Sequence, residues 1–221
     1  MTQKIIICGF PHSGTSILKS IICHCDDVKE IYNETLTIHE ETDKPFILCK
    51  YPFTMDTFFS HEYEDYIKIF IIRNPLFVFS SLNKRFNYTI PDNHSINQYI
   101  KTIQLFVKYK NHKNVYTIKY EDMFENNYQE IKNILERIGI QYTDDIFDNS
   151  KYTNVHYTYA ELVSTKPKPI EHATYRTWQI NQPFISNNDI NHIDLSENQK
   201  QELMHDDILH IYPDICKYFE K

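Results

Sequence analysis

The stretch Lys4-Ile5-Ile6-Ile7-Cys8-Gly9-Phe10-Pro11-His12-Ser13-Gly14-Thr15-Ser16-Ile17-Leu18 decides how this chain is read. Its apolar, β-branched start reads as a buried strand and its Gly/Pro/Ser centre as a turn, while Ile17, Leu18, Ile21 and Ile22 recur at helical spacing. The chain has three glycines and places two of them, Gly9 and Gly14, in this one loop. Strand, glycine loop and helix together form an anion cradle. Glycine lets the backbone approach a phosphate, the helix N-terminus supplies partial positive charge, and the hydroxyls of Ser13, Thr15 and Ser16 add donors. The Gly-x4-Gly spacing is that of a nucleotide-binding loop, but Thr15 and Ser16 follow where a nucleoside triphosphatase carries Lys and then Ser or Thr. Without that lysine a β/γ-phosphate loses its point charge, so ATP or GTP hydrolysis is the weaker reading.

Working outward, Phe46 to Cys49, Ile67 to Ile72 and Val115 to Tyr120 read as further strands. Helical patterns run over about Leu76 to Lys84, Ser95 to Tyr109 and Asn127 to Ile138, with Gly139 as a C-cap. Strands alternating with helices predict a parallel sheet covered on both faces, with ligands at the carboxyl ends of the strands. Tyr88 to His94 and Ser164 to Pro169 read as surface loops, and Ser186 to Lys221 as a packing appendage or oligomer contact. The length of 221 residues suits one domain over 1–221.

A net charge of −7 argues against nucleic acid as a partner. Five cysteines, with Cys8 and Cys49 inside apolar runs, read as reduced core thiols, and Cys23-His24-Cys25 lacks a second ligand pair for a metal. No apolar run approaches the roughly 20 residues that span a bilayer, so a cytoplasmic protein with no membrane partner is expected.

A second polar cluster follows the strand at Ile69-Phe-Ile-Ile72: Arg73-Asn74-Pro75 and then Ser81. Arg73 ends the strand, Pro75 opens a helix, and that helix brings the Ser81 hydroxyl back toward the same anion. Arginine's planar fork suits a second phosphate.

These residues resemble the sulfotransferases that use 3′-phosphoadenosine 5′-phosphosulfate (PAPS). Phe10-Pro11-His12-Ser13-Gly14-Thr15-Ser16 resembles that family's 5′-phosphosulfate loop, and Arg73-Asn-Pro with Ser81 its 3′-phosphate site. Lys119-Tyr120-Glu121-Asp122-Met123 is similar to its Tyr-Glu-Asp-Leu/Met segment, which implies that Tyr120 lies near the adenine. Thr174-Tyr175-Arg176-Thr177-Trp178 is similar to the segment that closes over the nucleotide, implying contacts from Arg176 and Trp178. The resemblance runs in the family's order from residue 4 to about 180. It implies a P-loop-like three-layer α/β fold with a central, mostly parallel sheet, PAPS as donor, and adenosine 3′,5′-bisphosphate as product. No metal is implied.

Two departures stand out. The position before Ser-Gly-Thr, usually Lys or Arg in the family, is His12, an imidazole that is cationic only if its pKa allows. Lys50-Tyr51-Pro52 keeps the lysine of a Lys-x-His segment but lacks the histidine base of the phenol and steroid enzymes. In bacterial and carbohydrate members a glutamate shortly after the first helix is the base, and Ile31-Tyr32-Asn33-Glu34 resembles that segment. The resemblance therefore implies Glu34 as base, with Glu30 or His39 as substitutes, and Lys50 and His12 as stabilisers of developing charge. The acceptor is expected to be a carbohydrate or other small hydroxylated molecule. Two other readings stay open: a P-loop kinase acting on a small molecule or nucleotide, and a nucleotide-binding protein without catalysis.

Overall fold

In a computed structural model the described residues are 2–54, 56–148 and 190–219. Five strands form one parallel sheet: β1 (Gln3–Gly9), β2 (Val28–Glu34), β3 (Phe46–Tyr51), β4 (Ile67–Ile72) and β5 (Val115–Lys119), in the order β2-β3-β1-β4-β5. The helices are α1 (Thr15–Cys23), α2 (Pro75–Phe86), α3 (Ile96–Tyr109), α4 (Gln129–Ile138), α5 (Glu197–Glu202) and α6 (Asp206–Ile211).

The side-chain alternation of the inner strands builds two cores. Ile5, Ile7, Ile69 and Ile71 face α1 and α4 and pack with Leu18, Ile21, Ile131 and Leu135. Ile6, Cys8, Phe70 and Ile72 face the opposite side and pack with Leu76, Phe79, Tyr99 and Ile103 of α2 and α3. Because both faces are covered, β4 is buried at every position, which is why it reads as an unbroken apolar run. The result is the expected three-layer α/β architecture. β1 lies between β3 and β4, so the chain crosses over it, and the loops leaving β1 and β4 part to form a crevice at the carboxyl ends of the strands.

Two elements depart from the sequence expectation. Residues 28–34 form an edge strand, β2, pairing with β3 alone, so Glu34 is a strand-end residue in register with Lys50. The C-terminal segment, expected as a packing appendage or oligomer contact, packs more deeply than an appendage: Leu203, Ile208, Tyr212 and Ile215 are buried against α2 and α3. Ser80 of α2 donates to the His192 carbonyl at 3.1 Å and accepts from the Asp194 N–H at 3.0 Å, fastening this segment to α2.

All five cysteines are free thiols. Burial pushes Cys8 and Cys49 up to about 12, so neither is a thiolate near neutral pH. Among the described residues no His, Cys, Asp and Glu cluster has metal-site geometry, and no helix is long and apolar enough to cross a membrane.

Candidate active site

The site begins with two glycines that tolerate no side chain. A Cβ on Gly9 would stand 2.3 Å from the Ile71 carbonyl oxygen, because β1 and β4 approach closely there. At Gly14, the N-cap of α1, φ is +94° and a Cβ would meet the Tyr120 ring at 2.4 Å. The loop between them turns tightly, with the Ser13 N–H donating to the Phe10 carbonyl at 3.1 Å and Pro11 buried. His12 adopts φ +67°, a left-handed conformation that costs a non-glycine residue energy and marks a constrained turn. Ser13 Oγ is buried with no hydrogen-bond partner among the described residues. A buried hydroxyl without a partner costs roughly 1–3 kcal/mol, and a bound oxyanion would satisfy it.

Beside the loop lies an ion pair. Lys50 Nζ, on the 3 % exposed residue at the end of β3, donates to Ser16 Oγ at 2.6 Å and stands 3.1 Å from Glu34 Oε1. Parallel pairing of β2 with β3 sets Glu34 across from Lys50, and α1 lays Ser16 over them. Three residues expected at the site therefore meet at one point. The two substitute bases do not. Glu30 sits mid-strand and pairs with Lys19 at 2.8 Å. His39 lines a hollow with Thr2 and Lys4, at the opposite end of the sheet from Glu34.

Arg73, 8 % exposed, leaves β4 on the other side of the loop. Its Nη1 donates to the His12 carbonyl at 3.3 Å, and its guanidinium lies 4.2 Å from the centroid of the Tyr120 ring. Tyr120 is 1 % exposed, with Gly14 and Arg73 against its ring. Its packing makes it the floor that positions loop and guanidinium.

The structure assigns His12 a part different from the expected cation. Its Nδ1 is 2.7 Å from Ser81 Oγ and its Nε2 is 3.2 Å from Arg85 Nη1. A guanidinium only donates, so Nε2 accepts and the ring proton sits on Nδ1, donating to Ser81. Burial first, then the positive charges of Arg85, His94, Arg73 and Lys50, lower the His12 pKa to about 3. The imidazole is therefore neutral near pH 7, a strut between the loop and α2. The sign for stability follows from this: the unfolded chain takes up a proton near 6.5 and the folded chain only near 3, so this residue costs stability as pH falls through that window. His12→Gln is expected to flatten the loss of melting temperature between pH 6 and 4; a profile parallel to wild type would refute the neutral assignment.

Sequence reading missed Arg85 and the support behind Arg73. Arg85 follows Ser81 by one helical turn on α2, and that i, i+4 spacing was the available signal. Glu121 accepts from the Asn74 N–H at 2.8 Å and from the Tyr212 hydroxyl at 3.4 Å, while the Tyr99 hydroxyl donates to the Arg73 carbonyl at 2.6 Å. Burial raises the Glu121 carboxyl above its ordinary value. Asn74 Oδ1 caps α2 by accepting from the Leu76 N–H at 3.0 Å, so this network sets both Arg73 and the start of the helix that carries Ser81. No sequence signal joins Tyr212 to Arg73. Arg176 and Trp178 lie outside the described residues.

A cavity of about 440 Å³ opens beside the loop, sharing Phe10 as a wall and lined further by Phe53, Thr54, Asn93, Lys101 and Leu105. Thr54 Oγ1 donates to the Gly9 carbonyl at 3.0 Å, tying the cavity wall to the loop.

The crevice thus carries one anion cradle with Lys50 and a second cationic position at Arg73. Mouse sulfotransferase SULT7A1, solved in complex with PAP, is similar in structure, at 15 % identity over 96 % of this chain and 88 % of that one, with a TM-score of 0.57. Retinol dehydratase, solved in complex with androsterone and inactive cofactor PAP, is similar at 12 % identity over 80 % and 78 % of the two chains, with a TM-score of 0.51. At such identities the likeness is one of fold. No curated protein sequence matches the chain. The sulfotransferase domain family matches residues 69–200, more than half of the chain, beginning in β4 and taking in Arg73, Ser81 and Tyr120; the chain belongs to that family.

Proposed function

We propose that this protein transfers a sulfuryl group from PAPS to the hydroxyl of a small molecule or carbohydrate, as a single domain over residues 1–221 acting in the cytoplasm. The observation that carries this reading is the Lys50 ammonium, held between the Ser16 hydroxyl of the anion loop and the Glu34 carboxylate. The residues present fit such a donor: a buried Ser13 hydroxyl with no hydrogen-bond partner among the described residues, two glycines without room for a Cβ, and separate cationic positions at Lys50 and Arg73. When bound, PAPS supplies a sulfur that an acceptor oxygen attacks as its bond to the 5′-phosphate oxygen breaks, that oxygen keeping the electron pair.

The residues divide the work. Loop amides and the Ser13, Thr15 and Ser16 hydroxyls bind the 5′-side anion, and Lys50 offsets negative charge there. Glu34 accepts the acceptor's proton, its carboxylate standing 3.1 Å from the Lys50 ammonium. Arg73 and Ser81 bind the 3′-phosphate, while Tyr120 holds Arg73 and the loop in register. The cavity beside Phe10, with aromatic, amide and ammonium groups on its walls, gives the acceptor room.

Sulfuryl transfer from PAPS to a panel of hydroxylated acceptors, run beside ATP with magnesium, tests the reading. Stabilisation by adenosine 3′,5′-bisphosphate (PAP) together with product formation supports it, and stabilisation by ATP and magnesium alone would overturn it in favour of a kinase. PAP binding without turnover on any acceptor would favour a nucleotide-binding protein. Arg73→Ala is expected to weaken PAP about 10- to 100-fold while changing AMP affinity little, since a charge-assisted hydrogen bond is worth roughly 1.5–3 kcal/mol. Equal losses for the two nucleotides, measured by titration calorimetry, would remove Arg73 from the 3′-phosphate.

A further inference from the structure

Arg85 stands in the site without a part in the mechanism above. It lies on the exposed side of α2, one turn beyond Ser81, and its Nη1 reaches His12 Nε2 at 3.2 Å. The imidazole is fixed from both sides, its Nδ1 on Ser81 and its Nε2 on Arg85. The anion loop itself brings no formal charge: its side-chain donors are the hydroxyls of Ser13, Thr15 and Ser16 and a neutral imidazole. A dianionic group bound there needs cations from elsewhere. Lys50 approaches from the β3 side, and on the α2 side Arg85 touches the loop's His12 side chain.

Holding a guanidinium against a neutral imidazole also makes physical sense. A protonated His12 would repel Arg85, whereas a neutral Nε2 accepts from it and aims it at the loop. Among the described residues the charges acting most on His12 are those of Arg85 from α2, His94 from the 3-10 turn before α3, Arg73 from the end of β4 and Lys50 from β3. Glu34 stands against Lys50 and Glu121 acts on Arg73, while it is Arg85 that meets the His12 ring directly.

We propose that Arg85 is an anion ligand of the phosphate loop, steered by the His12 imidazole, and that it supplies from α2 the positive charge the loop does not carry. This rests on the reading of the loop as the 5′-phosphosulfate site. Arg85 thereby differs from Arg73, whose partner is the 3′-phosphate, and the two arginines are separable by ligand.

The test compares PAP and AMP binding by titration calorimetry in wild type, Arg85→Ala, Arg85→Lys and the double variant His12→Lys/Arg85→Ala. Arg85→Ala should weaken both nucleotides by about 10- to 100-fold, the size expected for a charged hydrogen bond to phosphate. Arg85→Lys should recover much of that affinity, and the double variant should recover it by placing the charge on the loop itself. In Arg85→Ala the His12 ring, followed by NMR titration, should gain a higher pKa as one repelling charge is removed, yet stay below the ordinary value because burial persists. Affinities within twofold of wild type for both nucleotides would overturn the proposal. So would a loss confined to PAP, which would move Arg85 to the 3′-phosphate. Wild-type protein that binds neither nucleotide would instead overturn the reading of the site as a whole, a result distinguishable from failure of Arg85 alone.

Discussion

Lys50→Met is expected to lower turnover by about 10²–10³-fold, the loss typical of removing one donor aimed at developing charge in an enclosed site. Methionine keeps the length and apolar contacts of the lysine stem at a 3 % exposed position, so β3 and the core beneath it stay packed. The carboxylate left behind belongs to Glu34, whose side chain is 26 % exposed. Water can reach it, so the cost of breaking this pair falls well short of the several kcal/mol that a fully buried orphan charge would exact. A kcat that collapses while the melting temperature moves by a few degrees is the expected pattern. Unchanged kcat would show that the Lys50 ammonium only ties β2, β3 and α1 together.

Glu34→Gln should cut turnover by roughly a hundredfold or more and leave PAP affinity nearly intact, because the amide keeps the shape but takes no proton. The substitution also removes a negative charge beside Lys50, which by itself would strengthen anion binding slightly. The two consequences have opposite signs, so slower chemistry with equal or tighter PAP binding would separate loss of a base from general damage. Glu34→Ala offers a second measurement, in which added formate, a small carboxylate able to enter the gap, should restore part of the rate. Full activity in Glu34→Gln would remove the residue from catalysis. Loss of activity in Glu30→Gln would then speak of the Lys19 pair that braces α1 on β2, since Glu30 and Lys19 are 2.8 Å apart and face each other.

Much of the fold was legible because it rests on local patterns. Unbroken apolar runs give strands buried on both faces, as in β1 and β4, and α2 follows from Pro75 in its first turn. β2 was not legible, since Val28-Lys-Glu-Ile-Tyr-Asn-Glu34 is an edge strand whose polar side chains pair with Lys19 and Lys50 rather than forming an apolar run. How deeply the C-terminal segment packs was not legible for a related reason: Leu203, Ile208, Tyr212 and Ile215 are spread over short helices whose period is too brief to show which face is buried.

The candidate site divides along the same line. Gly9, Gly14, the hydroxyls of the loop, Arg73 and Ser81 were named by sequence because each sits at a fixed offset from the end of a strand, and such offsets survive in one dimension. Which acid stands beside Lys50 was a matter of parallel register between β2 and β3, and register brought Glu34 to the site while leaving Glu30 on Lys19 and His39 at the far end of the sheet. The charge of His12 was equally a tertiary property. A free imidazole titrates near 6.5, and only the packing that buries the ring and gathers Arg85, His94, Arg73 and Lys50 around it brings that value to about 3. The kinds of residue and the loop that carries them are thus written locally in the chain, whereas the acid that stands beside Lys50, the neutrality of His12 and the arrival of Arg85 depend on which strands and helices meet, since desolvation and Coulomb interactions act through space and not along the sequence.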